Sequence, residues 1–202
     1  SAIITDMSQP LLSSIGNALE IADVMRTFDS GQGPMVEVAI ELGTQLLVQG
    51  NVFYTEKGAR DGLIKSLSDG TAKNKFGMMI TAQGGPKNFT ERWEDYLNIA
   101  PAYEILAPSD GYVQAMDGTA LGRIVVDLGG GRHREDDQID HSVGLSEIAP
   151  LGAKLRRGQP MVLVHSHDTA RTDNAMVSVQ AAICVGVIPP TPKALILERI
   201  IR

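Results

Sequence analysis

The sequence predicts an α/β protein whose first half is mainly helical and whose second half is richer in strands. Apolar residues recur at helical spacing through much of residues 15–97, behind one short apolar run at Ala2–Thr5. Beyond Pro101 the pattern changes to short apolar runs separated by turn sequences. Because helices attached to a single strand are typical of a larger α/β sheet, we expect the first part to supply helices and one strand of a larger mixed sheet.

In the first part, Ala2–Thr5 is predicted to be a buried strand, and Asp6–Ser14 a loop that contains Pro10. Five helices are then predicted, and they cover Ile15 to just before Ser30, Met35–Val48, Thr55–Leu67, Asp69–Gln83 and Asn88–Leu97. Thr55 is the predicted N-cap of the third helix, and Gly70 follows its end. In the last helix, Phe89, Trp93 and Leu97 are expected on one face.

The second part alternates strands with two helices. The predicted strands are Tyr103–Ala107, Gly111–Met116, Ser142–Ile148, Pro160–His165 and Ala194–Ile201, and the predicted helices lie within Ala115–Leu128 and Thr169–Gly186. The change of pattern at Pro101 predicts a domain boundary, with one domain at residues 1–100 and a second at residues 103–202.

Composition excludes several classes of protein. The net charge of −6 argues against a nucleic-acid-binding protein, which needs clustered Lys and Arg. No apolar run reaches the roughly 18 to 20 residues that span a membrane, so no membrane partner is expected. The single cysteine, Cys184, rules out an internal disulfide and favours a cytoplasmic location. Because the chain opens within the predicted strand at Ala2, we expect it to be a piece of a longer polypeptide.

The glycine triplet Gly129–Gly131 has two interpretations. Glycine amides can bind a phosphate, but the P-loop and dinucleotide-binding patterns are both absent around this triplet. The triplet instead follows a predicted helix. We therefore expect Gly129 or Gly130 to be the residue that ends this helix, with a structural role.

Carboxylates and histidines near the triplet offer further candidates. The segment Arg134–Asp137 has the composition of a solvated charge run, whereas Asp140, between Ile139 and His141, is expected to be buried, hydrogen-bonded and structural. His165 and His167 have the spacing of a metal-binding pair on a strand, but two further ligands are missing from the pattern. The favoured interpretation is a strand end with one packed and one solvated histidine.

The loop Met7–Ser14 is followed by Glu20 and Asp23 on the next helix. Loop carbonyls combined with a carboxylate are the ligands that hard cations such as potassium, calcium or magnesium prefer. This pattern alone is a weak indication of a cation site.

Three motifs carry a family resemblance: Thr5–Leu11, Gly16–Glu20 and the long segment Leu121–Leu145, with its Asp-Leu-Gly-Gly-Gly-Arg and Asp-His-Ser-Val-Gly sequences. Together they resemble the C-terminal half of the thymidine/pyrimidine nucleoside phosphorylases, with thymidine phosphorylase as the closer branch. The resemblance implies a pentosyltransferase that converts a pyrimidine deoxynucleoside and phosphate to free base and 2-deoxyribose 1-phosphate. It also implies a cytoplasmic homodimer when full length.

The resemblance places the catalytic residues outside this chain. In the family, the phosphate site of Lys, Ser and Thr and the base clamp of Arg, Ser and Lys belong to the N-terminal half, so no catalytic or cofactor-binding residue is assigned here and no cofactor is required. The resemblance does imply a structural monovalent or divalent cation, with carbonyl ligands at Leu11 and Ser14 and an acidic ligand at Asp23. The chain departs from the family at Leu12, where Gly is usual, and at Asp23, where Glu is often found.

Two phrases of the second part, Ile105–Val113 and Leu151–Val164, resemble the hairpins of lipoyl and biotinyl domains. They lead us to expect a barrel-sandwich-hybrid-like (α/β-hammerhead) fold there. A non-catalytic lipoyl-like binding module, or a scaffold piece, is therefore the alternative function. A carrier module should have a Lys at the hairpin tip between its halves, where this chain has Met116-Asp-Gly118.

Overall fold

The computed structural model describes residues 1–200, which form two compact units. The first unit comprises Ser1–Asp6, Val24–Tyr96 and the chain from Ala194 onward; the second comprises Met7–Asp23 and Leu97–Lys193. One division, at Leu97, lies close to the predicted boundary at Pro101. Independent folding of residues 1–100 and 103–202 stays a prediction.

Five consecutive helices follow the first strand, and the rest of the described chain combines strands with two further helices and a π-helical turn. In chain order the elements are β1 Ala2–Thr5, α1 Asn17–Ser30, α2 Pro34–Gln49, α3 Glu56–Ser68, α4 Thr71–Ala82, α5 Phe89–Tyr96, β2 Ala102–Leu106, β3 Gly111–Met116, α6 Gly118–Val125, a π-helical turn Val126–Gly130, β4 Gly144–Ser146, β5 Lys154–Leu155, β6 Pro160–His165, α7 Thr169–Ala182, β7 Ile183–Gly186 and β8 Ile196–Ile200. The predicted α/β class is confirmed. The hammerhead detail stays a prediction.

Two strands, β5 and β7, were not predicted from the sequence, and the last predicted helix is longer than the observed α7. The helix expected over Thr169–Gly186 ends at Ala182, and the next residues form β7, which pairs with β3. No glycine or proline separates α7 from β7, so the sequence gives no stop signal there. β5 is only two residues long, which is too short to show a pattern.

In the first unit, β1 pairs antiparallel with β8, so that Ala2 lies opposite Ile200 and Ile4 opposite Glu198. The last predicted strand therefore belongs with the first unit, although the sequence placed it in the second domain. Its final predicted residue, 201, lies outside the described residues. Within residues 1–200, β1 pairs with β8 alone.

The helices of the first unit follow their capping signals. The Thr55 hydroxyl oxygen accepts a hydrogen bond from the Gly58 amide at 3.1 Å, which confirms Thr55 as the N-cap of α3. Phe89 packs against Phe76, and its ring stacks on Tyr96 at a centroid distance of 6.0 Å. Leu97 lies beyond the end of α5, so the prediction that Phe89, Trp93 and Leu97 share one helix face is wrong for Leu97.

The second unit contains two three-stranded antiparallel sheets, ordered β2-β6-β4 and β5-β3-β7. Its core is made of apolar side chains from both sheets and from α6 and α7, including Ile105, Val113, Leu121, Leu145 and Val179, all fully buried. Val113 of β3 and the apolar run of β6, with Met161, Val162 and Val164, are buried in this core.

Residues 7–23 are joined to the rest of the second unit by main-chain hydrogen bonds. The Ile15 amide donates to the Leu145 carbonyl at 2.9 Å, and the Leu145 amide donates back to Ile15 at 2.8 Å. The Ile148 amide donates to the Ser13 carbonyl at 2.9 Å. Because residues 13–15 and residues 145–148 are far apart in sequence, no local pattern predicts these hydrogen bonds.

None of the helices within residues 1–200 is both long enough and apolar enough to cross a membrane.

Candidate functional site

The glycine triplet lies where α6 runs into the π-helical turn. Gly129 has a φ of 105°, a left-handed conformation that favours glycine, and it ends the helix as predicted. The Asp140 amide donates to the Gly129 carbonyl at 2.9 Å, and the Arg171 guanidinium donates to the Leu128 carbonyl at 3.2 Å. The carbonyls at the end of this helix are thus paired with the protein itself, which supports a structural role for the triplet.

The loop after the triplet is folded around two carboxylates. Asp137 accepts hydrogen bonds from the Arg134 amide at 2.9 Å and the His133 amide at 3.0 Å, and these bonds lower the pKa of its carboxyl group. Asp140 accepts from both the hydroxyl and the amide of Ser142, and the hydroxyl bond is the main reason that its pKa is lowered. Asp140 is exposed, so the prediction of burial is wrong while that of hydrogen bonding is confirmed.

His165 and His167 have different environments. His165, at the end of β6, is only 7% exposed, and its Nδ1 lies 2.9 Å from the Ala100 carbonyl while its Nε2 lies 2.7 Å from the Ser146 hydroxyl. Because a carbonyl can only accept, Nδ1 donates to Ala100, and in the Nδ1-protonated neutral ring Nε2 is the acceptor for the Ser146 hydroxyl. His167 is exposed and lies 3.3 Å from the Ser142 hydroxyl. The prediction of one packed and one solvated histidine is confirmed.

The predicted cation ligands lie on the loop before α1 and on α1 itself. The Ser14 hydroxyl donates to Asp23 Oδ2 at 2.7 Å, and the Ser13 hydroxyl donates to the same oxygen at 2.9 Å. Ser14 and Asp23 are both buried, whereas the Leu11 side chain is 40% exposed. The structure thus brings Ser14 and Asp23 together.

These donors fit a hard cation, because they are carboxylate, hydroxyl and carbonyl oxygens. A serine hydroxyl that donates its proton to Asp23 keeps lone pairs that can face a cation. Leu11, Ser14 and Asp23 as a ligand set stay a prediction. Across residues 1–200, His, Cys, Asp and Glu side chains form no group of three or more with the arrangement of a metal site.

One polar cluster was missed by the sequence analysis. Glu41 and Thr44 lie one turn apart on α2, and both are 3% exposed in the first unit. Glu41 is paired with Arg199 of β8 and Arg60 of α3. A carboxylate at a core position of a largely apolar helix was the signal in the sequence, since a buried charge requires partners from elsewhere.

A cavity of about 190 Å³ lies beside the glycine triplet in the second unit. It is lined by residues of α6, the π-helical turn and α7, including Asp127, Arg171 and Asn174. Asp127 pairs with His133 at 3.0 Å, and Arg171 donates a hydrogen bond to the Leu128 carbonyl. Both charged groups that line this cavity therefore already have partners.

A comparison with protein families matches part of this chain to a known family. Residues 112–186 match the model of the family described as pyrimidine nucleoside phosphorylase C-terminal domain. The matched segment runs from β3 to β7 and includes the glycine triplet, Asp140 and His165. It therefore lies wholly within the second unit.

Proposed function

We propose, from the premise that residues 112–186 are a pyrimidine nucleoside phosphorylase C-terminal domain, that this chain is the C-terminal portion of a thymidine phosphorylase-like pentosyltransferase. In that reaction a phosphate oxygen bonds to C1′ of the deoxyribose while the bond from C1′ to N1 of the pyrimidine breaks. The pyrimidine leaves with the electron pair and takes up a proton. The products are free base and 2-deoxyribose 1-phosphate.

The family match is the observation that carries this proposal, and the geometry agrees with a supporting role for the chain. The polar groups Asp137, Asp140 and His165 are engaged in hydrogen bonds that fix loops and strand ends. Charge that develops on phosphate and pyrimidine must be stabilised by donors placed around both. We propose that those donors come from polypeptide outside residues 1–202.

Further features belong to the same proposal. We expect the complete enzyme to be a cytoplasmic homodimer that binds a pyrimidine nucleoside and phosphate, requires no cofactor, and holds a structural cation at Leu11, Ser14 and Asp23. These expectations rest on the motif resemblance.

The lipoyl-like alternative receives no support at the position where a carrier lysine would stand. Asp117, between Met116 and Gly118, is the N-cap of α6, and its side chain accepts from the Ala120 amide at 2.9 Å. The tip that would carry the modified lysine is therefore occupied by a helix start.

The test uses the chain alone and the chain fused behind the N-terminal half of a thymidine phosphorylase. With thymidine and phosphate, the chain alone should release no thymine above a blank, because no transition-state charge is stabilised. The fusion should release thymine. Turnover by the chain alone would show that it carries its own catalytic groups, and a folded but inactive fusion, tested with thymidine and uridine, would contradict the proposed family role.

A further inference from the structure

A serine and a histidine meet on the sheet β2-β6-β4, and the proposed phosphorolysis does not use them. Ser146 is the last residue of β4, and His165 is the last residue of β6. The two strands pair antiparallel, so that Ser146 lies opposite Leu163, two residues before His165. The Ser146 hydroxyl oxygen is 2.7 Å from His165 Nε2. A hydroxyl within hydrogen-bond distance of an imidazole nitrogen is the first requirement for a nucleophilic serine.

The second requirement is a group that orients the histidine. His165 is only 7% exposed, and its Nδ1 donates to the Ala100 carbonyl at 2.9 Å. This bond fixes the orientation of the ring and its tautomer, so that the lone pair of Nε2 faces the Ser146 hydroxyl. A nucleophile, a general base and an orienting acceptor, the three parts of an activated serine, are thus provided by Ser146, His165 and Ala100.

The Ser146 side chain lies on the face of β4 opposite to the core. Leu145, the residue before it, is fully buried in the core, and successive side chains of a strand point to opposite faces. Ser146 and Leu163 are accordingly only partly buried, and Glu104, which lies opposite Leu163 on β2, is exposed. A small molecule can therefore reach the Ser146 hydroxyl from solvent, beside the apolar side chain of Leu163.

The residue after Ser146 has an uncommon backbone conformation. Glu147 has a φ of 50°, which residues other than glycine rarely adopt. Its side chain is exposed, so burial of that side chain does not explain the conformation. Strained residues are concentrated at functional sites. The strain at Glu147 therefore supports a functional role for the end of β4.

Ser142 also has a histidine nearby, but its environment is different. Its hydroxyl donates to Asp140 Oδ1 at 2.5 Å, while His167 Nε2 lies farther away, at 3.3 Å. The pKa of Asp140 is lowered, mainly by the bond from the Ser142 hydroxyl, so this carboxylate is a poor general base. Ser142 is also buried. Of the two serines, Ser146 is the one that a histidine can activate.

We propose that Ser146 is an acylation site that takes an acyl group from an activated ester, with His165 as the general base. Ser146 Oγ bonds to the carbonyl carbon of the ester while its proton moves to His165 Nε2. The bond from that carbon to the leaving oxygen then breaks, and the leaving oxygen keeps the electron pair and takes the proton from Nε2. The products are an O-acyl serine and a free alcohol. This reaction is separate from the proposed phosphorolysis, so the two proposals are tested independently.

The experiment treats the 202-residue chain with p-nitrophenyl acetate and follows acetylation of each serine by mass spectrometry of proteolytic fragments. Ser178, an exposed serine on α7, is the internal reference. We expect Ser146 to be acetylated about a hundredfold faster than Ser178, the low end of what a positioned general base contributes. Comparable rates at the two serines would overturn the proposal.

His165→Asn is the decisive variant. The asparagine amide can still donate to the Ala100 carbonyl, but it has no basic nitrogen to accept the Ser146 proton. Acetylation of Ser146 should therefore fall about a hundredfold, to the rate of Ser178. The matched control is His167→Asn, the same replacement at an exposed histidine, which should leave the rate at Ser146 unchanged.

A thermal melt shows whether His165→Asn folds. An unchanged rate at Ser146 in the folded variant would overturn the proposal. If the variant does not fold, the comparison of Ser146 with Ser178 in the wild type decides between the two outcomes.

Discussion

Gly16 and Gly144 pass each other at main-chain contact distance in the second unit. A Cβ atom on Gly144 would lie 2.4 Å from the Ile15 carbonyl oxygen and 3.1 Å from the Gly16 Cα, and a Cβ on Gly16 would lie 2.7 Å from the Val143 carbonyl oxygen. The hydrogen-bonded bridge between Ile15 and Leu145 forms beside this crossing. Glycine at both positions allows the segment 7–23 to approach β4 closely enough for that bridge.

Gly144→Ala should therefore destabilise the second unit. The added methyl group must push the two main chains apart, at a strain cost on the order of 1–3 kcal/mol. Urea unfolding measures the change. The control is Gly122→Ala, within α6, where a Cβ would meet nothing within 4 Å. There alanine should stabilise the helix by about 0.5–1 kcal/mol. Equal effects of the two substitutions would contradict the crossing.

Gly130→Val tests the role of the glycine triplet. The positive φ belongs to Gly129, so the expected cost at Gly130 comes from crowding: a Cβ there would lie 2.8 Å from Val125 Cγ1 and 3.3 Å from Val143 Cγ2. Overpacking of this kind costs about 1–3 kcal/mol, and the melting temperature should fall by several degrees.

The control for Gly130→Val is Arg132→Ala, which replaces an exposed side chain two residues away and should be nearly silent. Phosphate should shift the melts of wild type and Gly130→Val by the same amount. If phosphate stabilised only the wild type, the triplet would be an anion site.

Local signals in the sequence predicted most helices and the longer strands. Thr55 and Gly70 bracket α3, and the turn sequences just before β3 and β6 place both strands at their predicted bounds. Interactions between distant segments were not predictable in this way. The pairing of Ile15 with Leu145, and of β1 with β8, depends on contacts across most of the chain, which no local pattern records.

The same distinction applies to the candidate sites. Ser14 and Asp23 are only nine residues apart, separated by the end of a loop and about two helical turns, so their contact could be predicted from the sequence. The cluster at Glu41 was missed because the arginines that pair with it lie on α3 and β8. Arg199 is 158 residues away from Glu41 in sequence. A buried glutamate can be recognised in a helix pattern, but its partners cannot.

His165 should be far more sensitive to substitution than His167. His165→Ala leaves the Ala100 carbonyl and the Ser146 hydroxyl without the imidazole that bonds both of them. Each buried polar group left unpaired costs about 1–3 kcal/mol. His167→Ala removes an exposed ring and should change the free energy of unfolding little. Denaturant unfolding of both variants measures the difference, and equal losses would argue against the two hydrogen bonds of His165.

The lowered pKa of Asp140 predicts a pH-dependent contribution to stability. Since the folded pKa lies below the unfolded value of about 3.9, the contribution is fully present above that pH and is lost as pH falls through the folded pKa. Asp140→Asn should therefore be less stable than wild type at neutral pH, and the difference should shrink in acid. The control is Asp136→Asn, which replaces an exposed carboxylate nearby and should change the free energy of unfolding little at neutral pH. A difference for Asp140→Asn that stays constant down to strong acid would contradict the role of the Ser142 bonds.

Limited proteolysis can test the proposed boundary near Pro101. The first cut should fall at Asn98 rather than at Ala100, because Asn98 is exposed while the Ala100 amide donates to the Ser142 carbonyl at 3.0 Å and its carbonyl accepts from His165. After that cut, the C-terminal piece should keep residues 7–23 bound to it without a covalent link.

The reason is that residues 7–23 complete the second unit through bonds that a cut at Asn98 leaves intact. Ile15 and Leu145 exchange two main-chain hydrogen bonds, the Ser13 carbonyl accepts from Ile148, and the Gln9 side chain accepts from the Leu151 amide at 2.9 Å. The two pieces should co-elute in size exclusion and separate only in denaturant. For the same reason, a polypeptide of residues 103–202 should unfold at lower denaturant concentration than one in which residues 7–23 are joined to residues 97–193. Equal stability of these two polypeptides would show that the second unit folds without the segment, as the division at Pro101 alone predicts.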